Sequence, residues 1–98
     1  MEKYLLEDPE DTFSLYALAL ELRVADPERA AELFDHLLRA HPEYEGTYYQ
    51  AAEFFAELGQ REKAEEIYEK GIAVLSRSLN HKALHELRNA YQNFQFED

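Results

Sequence analysis

The sequence predicts an all-α fold built from short helical hairpins, and three observations support this prediction. Helix-start and helix-stop residues divide the 98 residues into five segments. No stretch alternates apolar and polar residues over the length of a strand, so no sheet is expected. The connections are only about two to four residues long, which forces neighbouring helices into antiparallel pairs.

The helix starts are marked by proline. Each of the three prolines is followed by glutamate, at positions 9–10, 27–28 and 42–43. Proline at the first helical position loses no hydrogen bond, and the glutamate after it favourably meets the positive end of the helix dipole. Asp8 and Asp26 precede two of these prolines, at the position where an N-cap side chain accepts a free backbone N–H. Each Pro-Glu pair therefore predicts a helix start.

One glycine and two polar residues mark the remaining helix ends. Gly59 predicts a helix stop, because glycine readily adopts the left-handed conformation that closes a helix. Asn80, or alternatively Ser78, can cap one further helix. The expected helices span about 9–24, 27–41, 43–58, 61–76 and 80–95, with ends accurate to a few residues.

Comparing the chain with itself indicates a repeat. The first hairpin carries Phe13, Tyr16, Ala17 and Leu20, then Ala30, Phe34 and Pro42. The second carries Tyr48, Ala51, Ala52 and Phe55, then Ala64, Tyr68 and Ser76. From one hairpin to the next, corresponding residues are 35 positions apart in the first helix of each hairpin and 34 positions apart in the second helix. Self-similarity at this period is typical of a helical repeat array.

These residues resemble the tetratricopeptide repeat, whose pattern is W-x2-L-G-x2-Y, then A-x3-F, then P. The resemblance covers residues 13–76, with alanine in place of the first-helix glycine and no tryptophan. It implies that Ala52 and Ala64 let two helices approach closely, while Tyr48, Phe55 and Tyr68 fill the space around that contact.

The resemblance implies one domain with two repeats, at about 9–42 and 43–76, followed by a capping helix at about 80–95. In that last helix Arg88 stands where a small residue would receive a further helix. Leu84, Leu87, Tyr91 and Phe94 are expected to point inward. The short segment before the first repeat predicts that the outer face of that repeat is incompletely covered.

The charge is strongly acidic and unevenly distributed. The formal net charge is −11, and residues 1–75 hold 18 acids against 7 bases. A surface of this kind repels phosphate backbones, so no nucleic-acid partner is expected. Solubility alone accounts for the charge, and a basic partner or a high-salt environment are the alternatives.

Several classes of function are disfavoured by what the sequence lacks. Without cysteine there is no disulfide or thiolate chemistry. No signal peptide is visible and no apolar run reaches membrane-spanning length, so a cytoplasmic protein without a membrane partner is expected. The three glycines are not grouped, which disfavours a phosphate-binding loop, and no cofactor or catalytic site is expected.

The histidines raise the question of a metal site. His81 and His85 are four residues apart, a spacing at which two imidazoles can share an ion. No further ligand motif accompanies them, and a structural zinc site wants four ligands. Two solvated histidines are therefore the preferred interpretation, and His41 is interpreted as a favourable charge at a helix end.

The resemblance further implies a non-enzymatic adaptor that binds a protein or peptide in the groove lined by first helices. Carried over position by position, the candidate binding residues are Asp11, Ser14, Leu18, Glu21, Tyr49, Glu53, Ala56, Lys82, His85, Asn89 and Gln92. Apolar anchors flanked by glutamates favour a basic, partly apolar peptide. The alternative is a self-associating structural unit that dimerises through its first repeat.

Overall fold

A computed structural model describes residues 10–97 of the chain. Within that range it contains five α-helices and no strand, which confirms the predicted fold class. The helices are α1 (Thr12–Ala25), α2 (Pro27–Ala40), α3 (Gly46–Glu57), α4 (Arg61–Ser76) and α5 (His81–Phe96). None of these described helices is both long enough and apolar enough to cross a bilayer.

The chain divides into two compact units, residues 1–47 and residues 48–98. In the first unit α1 packs against α2, and the single residue Asp26 connects them. The Asp26 N–H closes α1 on the carbonyl of Leu22 at 2.9 Å, and its side chain accepts from the N–H of Arg29 at 3.3 Å. Pro27 occupies the first turn of α2. The helix start predicted at Pro27 is confirmed.

The helix starts predicted at Pro9 and Pro42 differ from those in the structure. Helix α1 begins at Thr12, later than predicted, because Asp11 is its N-cap and accepts from the N–H of Ser14 at 3.0 Å. The predicted cap Asp8 and Pro9 lie outside the described residues. The start predicted at Pro42 is wrong: residues 42–43 form a turn, in which the Tyr44 N–H donates to the carbonyl of His41 at 3.1 Å.

The buried face of α1 also differs from the prediction. Phe13, expected in the core, is 61% exposed, whereas Leu15, Leu18 and Ala19 are buried. The repeat pattern in α1 is therefore Leu15-x2-Leu18-Ala19, two residues later than predicted, with Ala19 rather than Ala17 as the fully buried small residue. Apolar residues surround most of α1, so the sequence alone permitted either phase.

The second helices keep the register that the sequence predicts. Ala30 and Phe34 in α2 are fully buried, as are Ala64 and, nearly, Tyr68 at the corresponding positions of α4. The turns of the two hairpins differ in length, because one residue joins α1 to α2 whereas three join α3 to α4.

In the second unit α3 ends in a glycine-closed turn. Gly59 has a φ of 82°, and its N–H donates to the carbonyl of Ala56 at 3.0 Å. The N–H of Gln60 donates to the carbonyl of Phe55 at 2.9 Å. This pair of bonds is a Schellman motif, which satisfies carbonyls that the helix end leaves free. The predicted helix stop at Gly59 is confirmed.

A second glycine marks the place where three helices meet. A Cβ atom at Gly71 of α4 would lie 2.6 Å from the Cβ of Tyr48 on α3 and 2.7 Å from the Cδ2 of Leu87 on α5. Real Cβ atoms essentially never lie this close to a neighbour, so any larger residue here would force Tyr48 or Leu87 to move. Gly71 therefore sets how closely α3 and α5 approach α4.

Helix α5 packs on α4 through aromatic rings. The Tyr68 centroid lies 5.3 Å from those of Tyr91 and Phe94, and Leu87 and Phe94 are buried. Asn80 caps α5 as predicted, accepting from the N–H of Ala83 at 3.1 Å. Within this unit α5 covers an apolar face of α4, which is the arrangement expected of the capping helix.

Arg61 fixes the other end of α5. Its Nη2 donates to the carbonyls of Phe94 and Glu97, both at 3.0 Å, and the guanidinium lies 4.2 Å from the centre of the Phe94 ring. A cation at the carbonyl end of a helix is favourable, since the macrodipole is negative there. The start of α4 thus holds the end of α5.

Candidate partner-binding cleft

A cleft of about 380 Å³ opens between α3 and α5 in the second unit. Its walls include Tyr49, Glu53 and Ala56 of α3 and Ala90, Asn93 and Glu97 at the end of α5. A depression of about 270 Å³ continues along Tyr49, Ala90 and Asn93 and adds Glu86 and Asn89. Because the two share these three residues, they form one continuous surface, the α3–α5 cleft.

Helical spacing explains which side chains face the cleft. Tyr49, Glu53 and Ala56 are separated by four and three residues, so they form one stripe along α3. Their neighbours Tyr48 and Ala52 lie on the buried side of the same helix. Tyr49 is 37% exposed, which leaves part of its ring accessible to a partner.

The base of the cleft is aromatic. Tyr68 and Phe94, which are almost entirely buried, are part of its lining. Burial, followed by the nearby charges of Glu53, Tyr49 and Glu97, raises the pKa of Tyr68 to about 12. The Tyr68 phenol is therefore neutral at physiological pH, and neither of the two rings carries a charge of its own.

The rim of the cleft is acidic. Glu53, Glu57 and Glu97 line the main cleft and Glu86 lines its continuation, and no lysine or arginine among residues 10–97 lines either part. Carboxylates around an uncharged aromatic base favour a ligand that combines a cation with an apolar stem. The same carboxylates repel an acidic peptide.

The structure brings together four of the residues that the sequence singled out. Tyr49, Glu53 and Ala56 lie on the α3 wall, and Asn89 lies on the α5 wall of the continuation. Lys82, His85 and Gln92 are exposed on α5 and line neither part of the cleft.

The candidate binding residues at and near α1 do not line the α3–α5 cleft. Ser14 and Leu18 are each 3% exposed, so their side chains are not accessible to a ligand. Asp11 is occupied with the N-cap and also accepts from the Ser14 hydroxyl, and Glu21 is exposed. The two-residue error in register explains this outcome, because it assigned positions on the buried side of α1 to the binding groove.

Sequence reasoning missed part of the lining. Asn93 and Glu97 follow Asn89 at intervals of four residues, so a consistent face of α5 was readable once Asn89 had been chosen. Tyr68 and Phe94 were predicted as core residues, and they are buried, but they also line the cleft. A pattern of burial alone does not distinguish these two roles.

Comparison with known proteins places the fold in a family. A family model for the tetratricopeptide repeat matches residues 21–87. A solution NMR structure of a tetratricopeptide repeat domain protein from Salinibacter ruber is 37% identical, covers 92% of this chain and 93% of its own, and has a TM-score of 0.84. A crystal structure with the same description and organism is 34% identical, covers 91% and 100% of the two chains, and has a TM-score of 0.83.

No curated protein matches the chain. The family match nevertheless spans well over half of the sequence, and the first of these structures is similar over nearly the full length of both chains. The helices, the small residues at their crossings and these similarities agree. The chain belongs to the tetratricopeptide repeat family.

Proposed function

We propose that the α3–α5 cleft binds a basic, partly apolar segment of a protein partner. Tetratricopeptide repeat domains generally serve as protein-interaction or scaffold modules, and the family is generally non-enzymatic. The observation that carries the proposal for this chain is the acidic rim of the cleft above its aromatic base. We therefore propose binding rather than catalysis as its activity.

The dimensions of the cleft limit what it takes. A volume of about 380 Å³ lies near the lower end of the range of small-molecule pockets. The cleft accommodates one or two side chains of a partner. A lysine or arginine flanked by apolar residues suits its size and its charge. The stem of such a side chain lies along Tyr49 and the aromatic base, while its charge reaches Glu53 or Glu97. A contact of this size gives weak, transient binding.

The two components of the interaction respond differently to salt. Attraction between exposed charges is screened at moderate ionic strength, whereas apolar contact is not. Each exposed ion pair contributes about 0.2–1 kcal/mol, so removing one carboxylate weakens binding up to about fivefold at low salt. Loss of the Tyr49 ring weakens binding at every salt concentration.

The test is fluorescence anisotropy with three labelled peptides of equal length: one with lysines and leucines, one with glutamates and leucines, and one with lysines and serines. We expect the lysine-leucine peptide to bind most tightly. Glu53→Gln reduces its affinity at low salt, and Tyr49→Ala reduces it at low and moderate salt. Glu66→Gln is the matched control, since Glu66 is an exposed carboxylate of α4 outside the cleft. Tighter binding of the glutamate peptide, or equal effects of the two glutamate variants, contradicts the proposal.

Self-association through α1 is the second candidate function, and the exposed residues of that helix favour it. Phe13 is 61% exposed and Val24 is 93% exposed. They are 11 residues apart, which places them on the same side of a helix with about 3.6 residues per turn. These two side chains offer a second copy of the chain two apolar contact points on one side of α1.

Sedimentation velocity of the pure protein tests self-association. A dimer that dissociates in Phe13→Ser and Val24→Ser supports it, with Glu32→Gln on the exposed side of α2 as the control. A protein that stays monomeric at millimolar concentration excludes this second candidate and leaves the cleft proposal intact.

A further inference from the structure

Three side chains that are far apart in the sequence converge in the first unit. Glu10 precedes α1, His36 lies on α2, and His41 is the C-cap of α2. One carboxylate oxygen of Glu10 lies 2.9 Å from His36 Nε2 and 3.2 Å from His41 Nε2. Each of the three residues offers one ligand atom, and these atoms all lie within 4.8 Å of one another.

We propose that Glu10, His36 and His41 bind a divalent transition-metal ion of the zinc type. Zinc forms bonds of about 2.0–2.2 Å to imidazole nitrogen and carboxylate oxygen, so tetrahedral ligands lie roughly 3.3 Å apart. The Glu10–His36 and Glu10–His41 separations of 2.9 and 3.2 Å are close to that value. The ion would replace these two hydrogen bonds and hold the two imidazole nitrogens, which lie within 4.8 Å of one another, as its other ligands.

The ligand types select among metals. Two imidazoles and one carboxylate suit zinc, copper, nickel and iron, whereas magnesium and calcium prefer all-oxygen sites. The three protein ligands leave a fourth tetrahedral position for water, since Glu10 is exposed to solvent. The spacing His36-x4-His41 also lies within the range found in zinc sites.

A further side chain orients one of the rings. The Thr12 hydroxyl lies 3.3 Å from His41 Nδ1. In the ion-bound form the neutral His41 ring carries its one proton on Nδ1, which donates to the Thr12 hydroxyl and leaves the lone pair of Nε2 for the metal. Partners of this kind fix the orientation of metal-binding histidines, and their loss typically lowers metal affinity about 10- to 100-fold.

The carboxylate of Glu10 offers the one oxygen ligand of the set, beside the two imidazole nitrogens. By contrast, His81 and His85 are exposed on α5, and His85 Nε2 accepts from the Asn89 amide at 3.2 Å. They serve as an internal reference within the same chain.

The experiment is isothermal titration calorimetry of the chelator-treated full chain with zinc chloride, together with NMR of the imidazole nitrogens. We expect one zinc ion per chain, with the Nε2 resonances of His36 and His41 shifting while those of His81 and His85 do not. Magnesium chloride gives neither heat nor shifts. Cobalt(II) should bind competitively with zinc and give the absorption spectrum of a site with nitrogen and oxygen ligands.

Variants separate this site from general histidine binding. His36→Gln, His41→Gln and Glu10→Gln each weaken zinc binding at least tenfold, and Thr12→Ala weakens it about tenfold. The matched control His81→Gln leaves the affinity unchanged. The proposal is overturned if millimolar zinc shifts neither His36 nor His41 in the wild-type chain, a result that does not depend on how any variant folds. It is equally overturned if the double variant His36→Gln/His41→Gln keeps wild-type affinity.

Discussion

Replacing Gly71 with alanine tests the packing at the crossing of α3, α4 and α5. The added Cβ would lie 2.6 Å from the Cβ of Tyr48, and because this atom is bonded directly to the backbone it cannot turn aside. The Cδ2 of Leu87, at 2.7 Å, is the end of a flexible side chain and can move. Overpacking costs about 1–3 kcal/mol, and we take the upper half of that range because Tyr48 is fully buried. The gain in helix propensity offsets about 1 kcal/mol, which leaves a net loss of about 1–2 kcal/mol.

The assay is thermal and urea unfolding followed by circular dichroism. For a domain of this size the expected loss lowers the Tm by roughly 5–15 °C. Gly46→Ala is the matched control: its Cβ would meet Tyr16 at an ordinary 3.6 Å, so this substitution should be neutral or stabilise by up to about 1 kcal/mol. If Gly71→Ala stabilises the protein as Gly46→Ala does, the close approach at Gly71 is refuted.

Three further predictions concern the second unit. Ala52→Leu should lower the free energy of unfolding by about 1–3 kcal/mol, because Ala52 is fully buried; an unchanged urea midpoint would contradict this. Burial raises the pKa of Tyr68 to about 12, and partial burial with the carboxylates of Glu69 and Glu65 raises that of Tyr91 to about 12. The unfolded chain loses these protons near pH 10, so both groups favour folding fully below pH 10 and this contribution is lost between about pH 10 and 12. Tyrosinate absorbance should therefore show some tyrosines ionising at higher pH in the folded protein than in the unfolded chain. Deleting residues 80–98 should expose the face of α4 that α5 covers and cause aggregation or partial unfolding, whereas a monomer with unchanged Tm would show that α5 is dispensable.

The second hairpin was predictable from the sequence because its pattern has one solution. Tyr48, Ala51, Ala52 and Phe55 combine large and small residues in an order that fits the repeat in a single register. Gly59 has no competing role, since only glycine takes a φ of 82° without strain. The structure therefore reproduces both this register and this helix end.

The first hairpin was less predictable for physical reasons. Helix α1 is apolar around most of its circumference, and the aromatic residues Phe13 and Tyr16 attracted an alignment that the burial of Leu15 and Ala19 contradicts. Proline before glutamate fits a turn as well as a helix start, which is why the helix start predicted at Pro42 was wrong.

The cluster of Glu10 with His36 and His41 was not predicted because it depends on tertiary structure. Its carboxylate is 26 residues from the nearer histidine, so only the folded hairpin brings the three together. The His36-x4-His41 spacing was the one signal visible in the sequence. Spacing of this kind gains meaning only when a third ligand is seen beside it.

The most direct test of the proposed function is an NMR titration of the isotope-labelled chain with the lysine-leucine peptide at low salt. We expect the largest backbone shifts along both walls of the α3–α5 cleft, at Tyr49, Glu53, Asn89 and Asn93, with smaller shifts at moderate salt. The glutamate-leucine peptide should leave the same amides unshifted. Shifts that centre on α1, or that are equal for the two peptides, would contradict the claim that this cleft is the binding surface.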